Sequence, residues 1–247
     1  MSSRPPTHRR RGIYLLPNLF TTAALFSGFY ACTAAFNGRY ELAAIVIFVA
    51  MVLDGLDGRV ARLTNTESDF GAEYDSMADM MSFGVAPALL MYTWSLASLG
   101  KLGWFAAFVH AAGGALRLAR FNAQLETADK RYFQGLPSPS AAGILAGFVW
   151  VAVEYGFDGD TLRYGVLGLT ITTGLLMVSN VRYYSFKDID LRGKVPFVVI
   201  IALTFVFGVV FAHPPVMLFL IFAVYAISGP VMTLLLLHKK RRAKRRN

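Results

Sequence analysis

The sequence predicts an all-α, polytopic membrane bundle of about eight spans with both termini in the cytoplasm. Three observations predict it. Of the 247 residues, 55% are hydrophobic and 16% charged, and the mean hydropathy is +0.50; a soluble chain of this size carries more charge. Apolar runs recur at the ~20 helical residues that a ~30 Å hydrocarbon core requires. The basic residues alternate between connections, which sets the orientation.

The runs fall at roughly 13–36, 40–62, 73–99, 102–122, 139–156, 162–180, 195–212 and 214–238. The first follows Arg9, Arg10 and Arg11, but it is longer than the ~7–15 residue core of a signal peptide and reads as a retained span. His213-Pro214-Pro215 separates the last two, because successive prolines favour a tight connection. Connections after spans one, three, five and seven, with the helix ends beside them, hold only Arg39, Lys101 and Arg163 among the 24 Lys and Arg. The others lie in the tails, in the even-numbered connections or on helix ends beside them. The positive-inside rule then puts both termini, and the turn between spans two and three, in the cytoplasm.

The bundle consumes nearly the whole chain: a basic tail at 1–12, a single transmembrane domain at 13–238 and a basic tail at 239–247. The net charge of +9 is concentrated in Arg9–Arg11 and in Lys239 to Arg246, a pattern that suits anionic lipid headgroups. No aromatic interleaving accompanies it, which argues against nucleic acid. The single cysteine, Cys32, excludes an intramolecular disulfide and a cysteine-based metal cluster. The four histidines (His8, His110, His213 and His238) are too dispersed to form a ligand set. His110, inside an apolar run, reads as a packing or helix-bonding residue.

Four aspartates interrupt the second and third spans. Asp54, Asp57, Gly58 and Ala61 stand at i, i+3, i+4 and i+7, one face of a helix; Gly71, Asp75 and Asp79 follow at i, i+4 and i+8, one face of the next. Thr64-Asn65-Thr66-Glu67-Ser68-Asp69 between them is polar and suits a cytoplasmic turn. The hairpin therefore levels Asp57 with Asp75 and Asp54 with Asp79, with ~4.5–6 Å along the axis between successive acids. A carboxylate in a membrane helix is a functional-site hypothesis by default. Four of them repel unless cations lie between them, and hard divalent ions such as Mg²⁺ or Mn²⁺ take oxygen ligands and share substrate phosphates. Two such ions can clamp a diphosphate. Gly58 and Ala61 leave room for a flat group to approach the backbone, and Arg62 adds a cation suited to phosphate.

Residues 54–79 match D-x2-D-G-x2-A-R-x8-G-x3-D-x3-D at every fixed position: Asp54, Asp57, Gly58, Ala61, Arg62, Gly71, Asp75 and Asp79. The chain thereby resembles the CDP-alcohol phosphotransferases, with the core of that family at about 13–180. The resemblance implies a homodimeric enzyme of the inner (cytoplasmic) membrane that moves a phosphatidyl or related group from a CDP-linked donor to an alcohol and releases CMP. It implies that Asp54, Asp57 and Asp75 hold two divalent ions. Asp79 would touch a metal and act as general base, and Gly58 and Ala61 would admit the cytidine, with Arg62 and Gly71 in the same motif. Asp79, the acid farthest along the second helix of the hairpin, also suits the base on position alone. A carboxylate is a weak base at neutral pH, so positioning and charge stabilisation must supply most of the acceleration.

The motif does not choose the alcohol. PNLFT near the start, MMSFGVAPALL after Asp79, GALRLARFN at the end of span four and FQGLPSPSAAG beyond it resemble the branch of the family that makes phosphatidylserine. That similarity implies CDP-diacylglycerol and L-serine as substrates. A zwitterionic acceptor needs a cation for its carboxylate. Arg117 and Arg120, at i and i+3, are candidates for that carboxylate or the lipid phosphate, with membrane anchoring by snorkelling as the rival role. Asn122, Gln134 and Ser138 are polar candidates at the same mouth. Asn18 and Thr21 are placed for nucleotide contact by the resemblance, while helix capping and interhelical bonding explain them equally. Glycerol 3-phosphate or an inositol phosphate is a rival acceptor. A divalent-cation transporter is a rival of another class, but it needs polar residues across the bilayer, and Met80 to Met91 is mostly apolar. A lipid-binding scaffold leaves the four aligned carboxylates without a reason.

Overall fold

A computed structural model describes residues 15–123, 132–184, 208 and 210–244. Among the described residues are eight α-helices: α1 (Leu15–Phe36), α2 (Tyr40–Thr64), α3 (Asp69–Asp79), α4 (Ala86–Trp94), α5 (Lys101–Ala123), α6 (Ser138–Glu154), α7 (Gly159–Val178) and α8 (Pro214–Lys244). Four stretches are long and apolar enough to cross a membrane: Leu16–Phe36, Lys101–Ala123, Gly159–Val178 and Pro214–Leu235. Ser138–Glu154 is a shorter apolar helix. The expected tail 1–12 and most of the expected span 195–212 lie outside the described residues.

The expected third span, 73–99, is a composite. It begins as α3 at Asp69, passes through a π-helical turn at Met80–Val85, resumes as α4 and ends in a 3₁₀ turn at Leu96–Leu99. Backbone angles stay right-handed helical at Asp79, Met80, Val85 and Ala86, so the segment winds on without a break. Pro87 sits in the first turn of α4.

Small residues let the helices approach closely, which is how membrane bundles pack. Ala31, Ala34 and Ala35 of α1 and Ala43, Ala44, Ile47 and Ala50 of α2 are buried in one seam with Phe83, Leu90 and Met91. Helices α5 and α7 touch through backbone: a Cβ on Gly113 would lie 2.5 Å from the Gly174 carbonyl. Phe222 and Phe219 of α8 fill the spaces over Gly143 and Gly147 of α6.

One departure from an all-α chain is a two-stranded antiparallel sheet, β1 (Tyr132–Gln134) with β2 (Arg182–Tyr184), in which Phe133 pairs with Tyr183. It binds the connections after α5 and α7 to each other and to α8. Pro230 inside α8 has no N–H for the Ala226 carbonyl four residues back. The Tyr183 hydroxyl donates to that carbonyl instead, at 3.1 Å, and Gly229 leaves room for the Tyr183 ring.

Candidate active site

The α2–α3 hairpin is closed by residues whose conformations the turn requires. Asn65 ends α2 in the left-handed region (φ 52°), and its N–H returns to the Ala61 and Arg62 carbonyls, a common way to satisfy the last carbonyls of a helix. Ser68 is the N-cap of α3, accepting from the Gly71 N–H at 3.1 Å. Thr64 and Thr66 share a 2.7 Å hydroxyl contact across the turn.

This closure brings the acids together. Carboxylate oxygens of Asp54, Asp57 and Asp75 lie within 4.8 Å of one another. Asp54 faces Asp79 as well as Asp75, and Asp57 faces Asp75. Two unit charges ~4 Å apart repel by about 4 kcal/mol in a protein-surface environment. Three acids in such proximity need either protons or cations. Asp75 Oδ1 is also buried with no hydrogen-bond partner, although a buried oxygen left unpaired costs ~1–3 kcal/mol. An all-oxygen donor set with an orphaned carboxylate oxygen fits a hard divalent ion.

Thr21 of α1 sits 2.7 Å from Asp57 Oδ2 and donates to it. It thereby fixes the carboxylate's orientation, and Asp57 is only 5% exposed. Asn18, one turn earlier, lines the adjoining cleft of about 260 Å³ together with Thr21, Asp57, Gly58, Ala61, Arg62, Gly71 and Asp75. Thr66, Glu67 and Ser68 also line it. In the sequence these three read only as a polar turn. Their place three to five residues before Gly71 is the available signal that they overhang the motif. Gly58 and Gly71 keep the floor low: a Cβ at Gly71 would come within 3.2 Å of Ser68 Oγ.

The remaining candidates divide. Arg117 Nη1 donates to Ser138 Oγ at 2.7 Å, and the charges of Asp79 and Asp54 act on its guanidinium. Arg117 and Ser138 thus stand beside the acids but outside the cleft lining. Arg120 turns the other way, with Nη2 2.7 Å from the Val178 carbonyl and Nη1 3.4 Å from that of Ser179. It occupies the C-terminus of α7, where a cation meets both unpaired carbonyls and the helix dipole. Asn122 pairs with Ser76 of α3, donating at 3.1 Å. Gln134 lies exposed in β1, opposite Arg182.

A partly buried acidic cluster, with a cleft on one flank and an arginine on the other, suits a phosphorylated ligand held through cations. Residues 14–210 match the model of the CDP-alcohol phosphatidyltransferase family, and the chain belongs to that family. Among curated relatives, it is 39% identical over 228 residues to the CDP-diacylglycerol–serine O-phosphatidyltransferase of Helicobacter pylori (strain J99), covering 92% of this chain and 94% of the relative. The enzyme of the same name from Methanocaldococcus jannaschii is 38% identical over 183 residues (74% and 81%). That from Bacillus subtilis is 34% identical over 172 residues (70% and 91%).

Proposed function

We propose that this protein transfers the phosphatidyl group of CDP-diacylglycerol to the hydroxyl of L-serine, giving phosphatidylserine and CMP. The observation that carries the chemistry is the group of three carboxylates within 4.8 Å, with an unpartnered Asp75 oxygen, at the end of a cleft. The choice of serine is supported by the relatives' names and by Arg117 beside the acids.

Asp54, Asp57, Asp75 and Asp79 would hold two divalent ions, Mg²⁺ or Mn²⁺. Bound there, the ions supply charge neutralisation and Lewis-acid polarisation of the diphosphate. Asn18, Thr21, Gly58, Ala61, Arg62 and Gly71 bound the nucleotide's cleft; the two glycines and the alanine admit it, and Arg62 faces its phosphates. Asp79 takes the proton from the serine hydroxyl as that oxygen attacks the lipid-linked phosphorus, and the bond to the CMP oxygen breaks. Arg117, oriented by Ser138, binds the acceptor carboxylate or the lipid phosphate. Asn122 and Gln134 border the same mouth. Arg120 contributes by fixing α7 behind it.

With eight spans, both termini and the hairpin turn would lie in the cytoplasm, and the protein in the inner membrane. Acyl chains then stay in lipid while serine and CMP exchange with cytosol. The basic tails meet anionic headgroups, and family resemblance supports a homodimer. The test is an assay of purified protein with CDP-diacylglycerol, Mn²⁺ or Mg²⁺, and competing acceptors. CMP release that depends on L-serine is expected. Release only with glycerol 3-phosphate or an inositol phosphate would transfer the assignment to that acceptor, and release with none would favour ion transport.

A further inference from the structure

The π-helical turn at Met80–Val85 begins directly after Asp79. It is the only π-turn among the described residues, and such turns recur at functional sites. One carbonyl of the turn is left short of a backbone donor. Pro87 has no N–H, so the Phe83 carbonyl lacks the donor that an α-helix supplies four residues on. His110 of α5 supplies another: its Nε2 lies 3.3 Å from the Phe83 oxygen, and its Nδ1 lies 2.9 Å from the Thr173 hydroxyl of α7. His110 and Phe83 are fully buried and Thr173 nearly so. A carbonyl only accepts, so the ring proton belongs on Nε2; the Thr173 hydroxyl shares its one proton between Nδ1 and the Thr170 carbonyl, 2.9 Å away.

The rest of the turn is seated on both sides. Ser82 Oγ donates to the Ala24 carbonyl at 3.0 Å. Gly28 of α1 lets the Ser82 backbone approach so closely that a Cβ there would meet Ser82 Cα at 2.8 Å. On the α5 side, Gly114 stands against Gly84. Beyond the turn, Ala86, Leu90 and Met91 of α4 are fully buried, which fixes the rotation of α4. One residue corresponds to ~100° of α-helical rotation. Tightening the turn into regular α-helix would therefore swing α3 by that angle and carry Asp75 and Asp79 away from Asp54 and Asp57.

We propose that His110 is a positioning residue. By donating to the Phe83 carbonyl in place of the N–H that Pro87 lacks, it holds the widened turn that aims Asp75 and Asp79 at the acids of α2. The proposal rests on the phosphotransfer reading of that site, and His110 acts only through the backbone at Phe83.

The test compares His110→Asn, too short to reach the carbonyl, with His110→Gln, whose amide restores a donor near the Nε2 position. Each is made alone and with Pro87→Ala, which returns an N–H to the Phe83 carbonyl. His110→Asn should lower kcat for CMP release about 10–100-fold, as misplacing a reacting group by about 1 Å does, with the donor KM little changed. It should also weaken Mn²⁺ binding to the substrate-free protein, read by electron paramagnetic resonance, by about 10-fold, as loss of an orienting outer-shell partner does. His110→Gln should recover most of both. In the Pro87→Ala background the His110→Asn loss should shrink, because coupled residues are not additive. Equal losses in both backgrounds, or Gln no better than Asn, would reduce His110 to a packing residue. Should Pro87→Ala alone be inactive, the Asn and Gln comparison decides. If the wild type binds Mn²⁺ yet releases no CMP with any alcohol, the functional reading fails, while the Mn²⁺ affinities still decide the role of His110.

Discussion

The acidic and basic sides of the site are assembled in different ways. Asp54, Asp57, Asp75 and Asp79 come from one hairpin, so the helical period and a single Asn65–Ser68 turn suffice to gather them. The basic side is collected from afar: Arg117 meets Ser138 21 positions on, and Arg120 meets Val178 58 positions on. Gln134 is held by pairing of β1 with β2. A constellation built from neighbours behaves as a unit and fails when one member changes. A distributed one is held by many packing contacts, and its members are lost one by one.

The largest effect is expected at the acids. Asp75→Asn should reduce kcat/KM by about 10³-fold or more, on the scale of a lost charge-stabilising group. Because it also relieves like-charge repulsion, it should raise the thermal midpoint of the metal-free protein in detergent while abolishing the midpoint shift on adding Mn²⁺. Next is Asp79→Asn, expected to lower turnover by about 10²–10⁴-fold, the usual contribution of a general base, with CDP binding by calorimetry largely preserved. Near-normal turnover would remove Asp79 from that role.

On the basic side the effects should be smaller and separable. Arg117→Ala should raise the serine KM by roughly 10–100-fold, the weight of a hydrogen bond to a charged group, with the donor KM nearly unchanged; a rise in the donor KM instead would assign Arg117 to the lipid phosphate. Arg120→Ala should instead lower stability by about 0.3–2 kcal/mol, the range for a cation at a helix C-terminus, seen as a lower thermal midpoint at unchanged serine KM. Ser138→Ala should be mildest, with about 2–10-fold on serine KM, the net worth of one hydrogen bond, because Arg117 keeps its charge. If Arg120→Ala raised the serine KM as much as Arg117→Ala, the basic side would also be acting as a unit, and the contrast would dissolve.

The same contrast explains what the sequence can reveal. The spacing of Asp54 to Asp79 is enough to place the acids on facing helices, because only local periodicity is involved. Helix limits at Phe36, Tyr40 and Pro214 follow from Gly38, Arg39 and the His213-Pro214-Pro215 turn. The roles of Arg117 and Arg120 cannot be separated by a three-residue offset. Which guanidinium meets Ser138 and which meets the α7 terminus depends on how α5, α6 and α7 pack. From sequence, Thr21 suits nucleotide contact and interhelical bonding equally; its 2.7 Å bond to Asp57 places it in the second while it still lines the cleft. The π-turn in the third span hides behind an apolar run, although Pro87 four residues after Phe83 is its sign. The β1–β2 pairing leaves no trace in strand-like alternation, since each strand is only three residues long.

Helix α3 has two faces with different neighbours. Gly71, Asp75 and Asp79 point into the site, while Phe70 and Met77, on the other side, are 70% and 67% exposed. Only one helix therefore separates the acids from whatever surrounds the bundle there. For a donor whose tails stay in hydrocarbon, the search for this site is lateral diffusion in two dimensions. The encounter rate would then follow the donor's mole fraction in the bilayer: diluting it with inert lipid would slow the reaction even at constant total donor, whereas diluting serine would matter only through its bulk concentration.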